Sequence, residues 1–230
     1  MVNFMSIYII AGIIAVLGMI VQWQLQNRFN RYSKIPVGDG MTGADIARKM
    51  LYDNGIYDVE VVATRGMLTD HYDPRSKRVA LSEGVYNSCS VAAAAVAAHE
   101  CGHAVQHATG YAPLRLRSAL VPVVSFSSRI VPWVLIFGIL LINIFPNLLW
   151  FGIALFALTT LFSVVTLPVE INASRRAVAW LSNTGVTDVT TYGKAVDALR
   201  WAAYTYVIDA IGSIATLLYY VSIALGARRD

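Results

Sequence analysis

The residues best suited to chemistry lie in "VAAAAVAAHECGHAVQHATG", Val91 to Gly110, where His99, His103 and His107 recur at intervals of four. The chain has four histidines, so three of them share this one segment. His99, Glu100 and His103 spell H-E-x-x-H. On a helix, residues four apart lie on one face, and two imidazoles so placed can converge on one cation. Glu100, beside the first imidazole, can reach a water without itself ligating. That is the arrangement for metal-assisted hydrolysis, in which Zn2+ acidifies a water and the carboxylate takes its proton. Gly102 leaves room for another backbone, or a substrate, to come close.

An alanine-rich, nearly uncharged helix is a buried helix, and burying two imidazoles and a carboxylate without partners is costly. A catalytic zinc site takes three protein ligands. His107 would lie about 12 Å along the helix axis from His99, so one ion cannot touch both. It reads as a helix-end histidine beside the C-terminal carbonyls. Glutamates offer a better third ligand. The chain has Glu60, Glu83, Glu100 and Glu170, and only Glu170 follows the motif, in "LPVEINASRRAVAWL". Pro168 is expected to break the chain there, with a separate helix over residues 171–181. Glu170 and Ser174 then share a face one turn apart, a ligand and a polar group able to orient a neighbour. Glu170 also reads as a membrane-boundary carboxylate paired with Arg175 or Arg176; both readings can hold.

The elements that must position these residues are largely apolar. The chain of 230 residues is 57% hydrophobic and 14% charged, against about 25% charged in soluble domains. Residues 1–27 and 130–169 carry no charged side chain, and between Trp201 and Ala227 only Asp209 does. A spanning helix needs about 20 apolar residues, so four hydrophobic helices are expected, over residues 4–21, 130–145, 148–167 and 202–225. "INIFPN", Ile142 to Asn147, suits the turn between the middle two. The first segment lacks a basic start and a small-x-small cleavage site, so it reads as a retained anchor. Asp209 is a polar residue in an apolar stretch and so a functional candidate.

Arg28, Arg31, Lys34, Arg115, Arg117, Arg129, Arg175 and Arg176 flank the first three hydrophobic helices on one side, which by the positive-inside rule is cytoplasmic. A spanning fourth helix would put Arg228 and Arg229 outside, so that helix is either re-entrant or packed on the polar block. The same asymmetry accounts for the net charge of +4 without a nucleic-acid partner. Cys89 and Cys101 would sit about 18 Å apart along a helix, too far to bridge, and two free thiols fit a reducing compartment.

Within the polar block, Thr42 and Asp45 form a capping-box variant at the start of a short helix that Gly55 closes. Residues 59–63 read as a strand. A hairpin follows, with its turn at Asp73-Pro74-Arg75-Ser76 and a return strand near residues 78–81. Ser88 or Ser90 caps the histidine helix and Gly110 stops it. The expected fold is mainly α and membrane-embedded, with about four hydrophobic helices and a small α+β zincin-like domain. Residues 1–27 form the anchor, 28–129 the zincin-like domain and 130–167 the membrane hairpin. Residues 168–200 carry the third ligand, and 201–230 form the last hydrophobic helix.

"LTDHYDPRSKRVALSEGVY", "VAAHECGHAVQHATGYAPLRLRSALVP" and "PVEINASRRA" together resemble the YugP-type neutral zinc metallopeptidases, a bacterial membrane family, over most of the chain from about Ile35. The layout is also similar to gluzincin membrane proteases of the HtpX and CAAX-prenyl-protease kind. The resemblance implies a peptidase of the cell membrane acting on a peptide or protein, in contact with lipid. It implies Zn2+ held by His99, His103 and Glu170, with Glu100 as general base. Ser174 departs from the wider group, which carries Asp there to orient a ligand histidine. Of His71, Tyr72, Tyr86 and Arg176 as transition-state donors, His71 lies near a strand able to align a peptide. Two alternatives stand beside this reading. One is a non-catalytic membrane scaffold with a structural zinc, which would have no use for Glu100. The other is a site-2-type intramembrane protease, for which the chain lacks the L-D-G run.

Overall fold

The computed structural model describes residues 4–38 and 40–226, in the order α1 (Phe4–Tyr32), α2 (Gly43–Asp53), β1 (Glu60–Thr64), β2 (His71–Asp73), β3 (Arg78–Ser82), α3 (Glu83–Tyr86), α4 (Val91–Ala108), α5 (Ala112–Leu140), α6 (Pro146–Asn183) and α7 (Tyr192–Gly226). Arg228 and Arg229, which bear on the course of the last helix, lie outside the described residues. The protein is a mainly α membrane protein with a small α+β part: α1, α5, α6 and α7 are each long and apolar enough to cross a bilayer.

The chain divides into two units. One takes the chain up to Ile20, Leu116–Leu167 and the chain from Thr205 on; the other takes Val21–Arg115 and Pro168–Tyr204. In the first, α5 and α6 pack as an antiparallel hairpin through "INIFPN". A Cβ on Gly138 would lie 2.8 Å from the Cα of Leu149, so a small residue permits the close approach that association between apolar helices needs. Val131, Leu135, Leu149, Ile153 and Ala224 fill this unit's core. Ile13, Met19, Trp133, Phe151 and Leu218 stay exposed, a surface suited to lipid rather than water.

The second unit is built around α4. Ala92, Ala93, Ala94, Ala95, Ala97 and Ala98 are all buried, as expected of a helix surrounded on every side. Alanine is the residue that lets neighbours come close: α2 packs on it through Ile46, Ala47 and Met50, and the sheet through Val79 and Leu81. Thr42 caps α2 reciprocally with Asp45. Ser90 Oγ accepts from Ala93 N–H at the head of α4 and also receives the Ser88 hydroxyl, so both serines serve the cap. Gly110, with φ of +64°, follows its end. The three strands lie in the order β1-β3-β2, with β1 parallel and β2 antiparallel to β3. In the β2–β3 turn Asp73 accepts from Arg75 N–H and the Ser76 hydroxyl.

Three expectations are revised. Pro168 does not break the chain: α6 runs unbroken from Pro146 to Asn183. A proline inside a helix costs about 3 kcal/mol, but Val169, Ala173, Ala177 and Leu181 beyond it are completely buried, and packing of that face outweighs the lost hydrogen bond. Helix α5 begins at Ala112 and carries Arg115, Arg117 and Arg129 on it, because charge marks where apolar character ends and not where the helix does. For the same reason α7 starts at Tyr192, well before its uncharged stretch.

Helices α4 and α6 meet tightly at Gly102, where a Cβ would fall 2.6 Å from the carbonyl oxygen of Ala173. At an ordinary helical site Gly→Ala gains about 1 kcal/mol from propensity. At Gly102 the overlap is with backbone, and overpacking costs about 1–3 kcal/mol. Gly102→Ala is therefore expected to lower the thermal midpoint of the solubilised protein. Gly193→Ala, with nothing within 4 Å of its Cβ, should leave it unchanged or raise it.

Candidate metal centre

The approach of α6 to Gly102 of α4 decides what meets His99 and His103. Ala173 is the contact residue, so Glu170 and Ser174, on either side of it and one turn apart, face the histidines. Glu170 Oε2 lies 3.2 Å from His99 Nε2 and 3.5 Å from His103 Nε2. The ligating atoms of the three residues fall within 4.8 Å of one another. The two imidazoles stand nearly edge-to-face, with centroids 4.8 Å apart. Their other nitrogens are engaged: His99 Nδ1 lies 3.1 Å from Ser174 Oγ, and His103 Nδ1 lies 3.1 Å from Gln106 Oε1. Both Nε2 atoms are thus turned towards the carboxylate.

This donor set fits zinc. Zn–N and Zn–O bonds of about 2.0–2.2 Å at tetrahedral angles separate ligand atoms by about 3.4 Å, and the two imidazole–carboxylate distances bracket that value. The field is also right for a cation. Burial alone would push the His103 imidazole pKa down, but its hydrogen bond to Glu170 and the charges of Glu100 and Glu170 hold it above the ordinary value.

Glu100 is buried and, among the described residues, takes part in no hydrogen bond or ion pair. With no protein donor on it, the carboxylate is available to another partner. Its neighbour Cys101 is structural: the thiol points at Ala47 O, and burial pushes its pKa far above the usual range.

The remaining sequence candidates fall elsewhere. His107 is exposed and stands apart from the three-residue set; its Nδ1 meets the Tyr72 hydroxyl at 2.9 Å rather than the helix-end carbonyls. His71 adjoins Tyr72 on β2, so its side chain leaves the sheet on the opposite face from the one whose hydroxyl reaches α4. The His71 Nδ1 lies 2.8 Å from Thr69 O. Tyr86 accepts from Arg48, and Arg176 donates to Asn172. Asp209 is exposed on α7. Glu170 meets both histidines.

Gln106 was missed by sequence reasoning. It is completely buried and bonds to His103, Val169 and Asn172. The signal was present, for Gln106 lies three residues after His103 on the same helix face, in an otherwise apolar run.

The sequence matches a known group. The chain belongs to the family described as "Putative neutral zinc metallopeptidase", whose model matches residues 7–225. It is 43% identical over 219 residues to the "Putative membrane protease YugP" of Bacillus subtilis (strain 168), an alignment covering 94% of this chain and 96% of the relative. No solved structure matches it. The family's metal is zinc, and His99, His103 and Glu170 form a set fit to hold it.

Replacing a ligand should empty the site. Glu170→Ala is expected to reduce zinc from about one equivalent to trace in elemental analysis of purified protein. Ser174→Ala removes only a neutral partner of His99, so it should retain zinc with affinity weakened by about tenfold, the low end for outer partners of a ligand.

Proposed function

We propose that this protein is a membrane-bound zinc endopeptidase of gluzincin type. His99, His103 and Glu170 hold the metal, and Glu100 acts as general base. The observation that carries the reading is a convergence: Glu170, 71 residues from His99, meets both imidazoles, while the adjacent Glu100 carboxylate is left without a protein donor.

Zinc bound there supplies a Lewis acid that polarises the scissile carbonyl and makes a water acidic, and three protein ligands leave a position open. The rest is done by side chains of this chain. Glu100 accepts the proton of the attacking water and delivers it to the leaving amine nitrogen as the C–N bond breaks. Without a competing donor among the described residues, that carboxylate is free to turn. Strand β2 pairs with β3 on one side; an extended substrate can add to its other edge through main-chain hydrogen bonds. The distribution of Arg and Lys around the hydrophobic helices supports a site on the cytoplasmic side of the cell membrane.

The test is cleavage of casein and of a membrane-protein substrate by wild type and Glu100→Gln. Removing a general base costs about 10²–10⁴ in rate, so the variant is expected to keep its zinc and lose cleavage by that factor. A variant that keeps zinc and cleaves like wild type would overturn the role given to Glu100, and a zinc-loaded wild type that cleaves neither substrate would leave a structural zinc in a membrane scaffold.

A further inference from the structure

The buried amide of Gln106 constrains the site in a way that the ligands alone do not. Arg176 Nε donates to Asn172 Oδ1 at 2.9 Å. A guanidinium N–H can only donate, so the Asn172 atom at that point is its oxygen. The same oxygen faces Gln106 Nε2 at 3.0 Å, and Gln106 Nε2 also faces the backbone oxygen of Val169 at 2.8 Å. Both neighbours can only accept. Two independent contacts therefore assign the Gln106 nitrogen to the α6 side and turn its Oε1 to His103 Nδ1, 3.1 Å away. An amide oxygen only accepts, so Nδ1 of neutral His103 carries the proton and its Nε2 keeps the lone pair.

We propose that Gln106 is a positioning residue that sets the tautomer of His103, presenting the Nε2 lone pair to the metal, with its own orientation dictated by Val169 O and by Asn172 held under Arg176. The inference rests on reading His99, His103 and Glu170 as the zinc site. The two ligand histidines are held differently. Ser174 can donate or accept and leaves His99 free in its tautomer, whereas Gln106 permits His103 only one. Every residue that dictates the Gln106 orientation lies on α6, the helix that also carries Glu170. One docking event thus delivers the third ligand and prepares the second.

The test uses full-length protein in detergent, titrated with zinc against a competing chelator and, separately, loaded with Co2+ for visible spectroscopy. Gln106→Leu keeps the volume and removes the acceptor. It is expected to fold by far-ultraviolet circular dichroism, to bind zinc about 10–100-fold more weakly, and to show altered Co2+ bands at saturation. Gln106→Glu, as the neutral acid, retains an accepting oxygen and is expected to recover most of the loss. Gln106→Leu within twofold of wild type, or a folded Gln106→Glu as weak as the leucine variant, would overturn the inference. A wild-type protein that takes up no zinc, or His103→Ala binding as tightly as wild type, would instead overturn the assignment of the ligands.

Discussion

The site depends on one close approach between backbones, that of α4 to α6 at Gly102. Ala173 of α6 comes so near that no side chain fits between them. A glutamate side chain has limited reach, and Glu170 brings one oxygen to 3.2 and 3.5 Å from the two imidazoles. Only a helix pressed against α4 at almost the minimum separation achieves this. The alanines of α4 extend the same logic to its other sides, where α2 and the sheet press in. Small residues here set the distance at which the chemistry works.

The polar groups of the site make sense against that dense background. In a close-packed interior each buried donor and acceptor needs a partner, and His99, His103, Glu170 and Gln106 supply one another through contacts between 3.1 and 3.5 Å. Glu100 is the exception. Its carboxylate stands outside that network and stays available.

Much of this was legible in the residues. The capping box at Thr42, the turn at Asp73 and the cap at Ser90 are local chemistry, and each appears as expected. Rejecting His107 needed only the rise of a helix. Choosing Glu170 needed only the scarcity of glutamate. What escaped depended on tertiary packing. Pro168 is a strong local breaker, yet the buried face beyond it carries α6 through. Gln106 has no evident partner in the sequence, because the groups that receive its amide lie on α6. The ends of the long helices were misjudged because runs without charge record the apolar stretch, and helices continue past it.

The order of the ligands along the chain carries a further consequence. Two lie on α4, and the third follows only after the apolar hairpin of α5 and α6 has been synthesised. A chain still emerging from the ribosome therefore holds a pair of histidines and an unemployed carboxylate but cannot complete the donor set. The three-residue set is thus completed only after that apolar hairpin has been made. The order of synthesis itself therefore delays the assembly of the site.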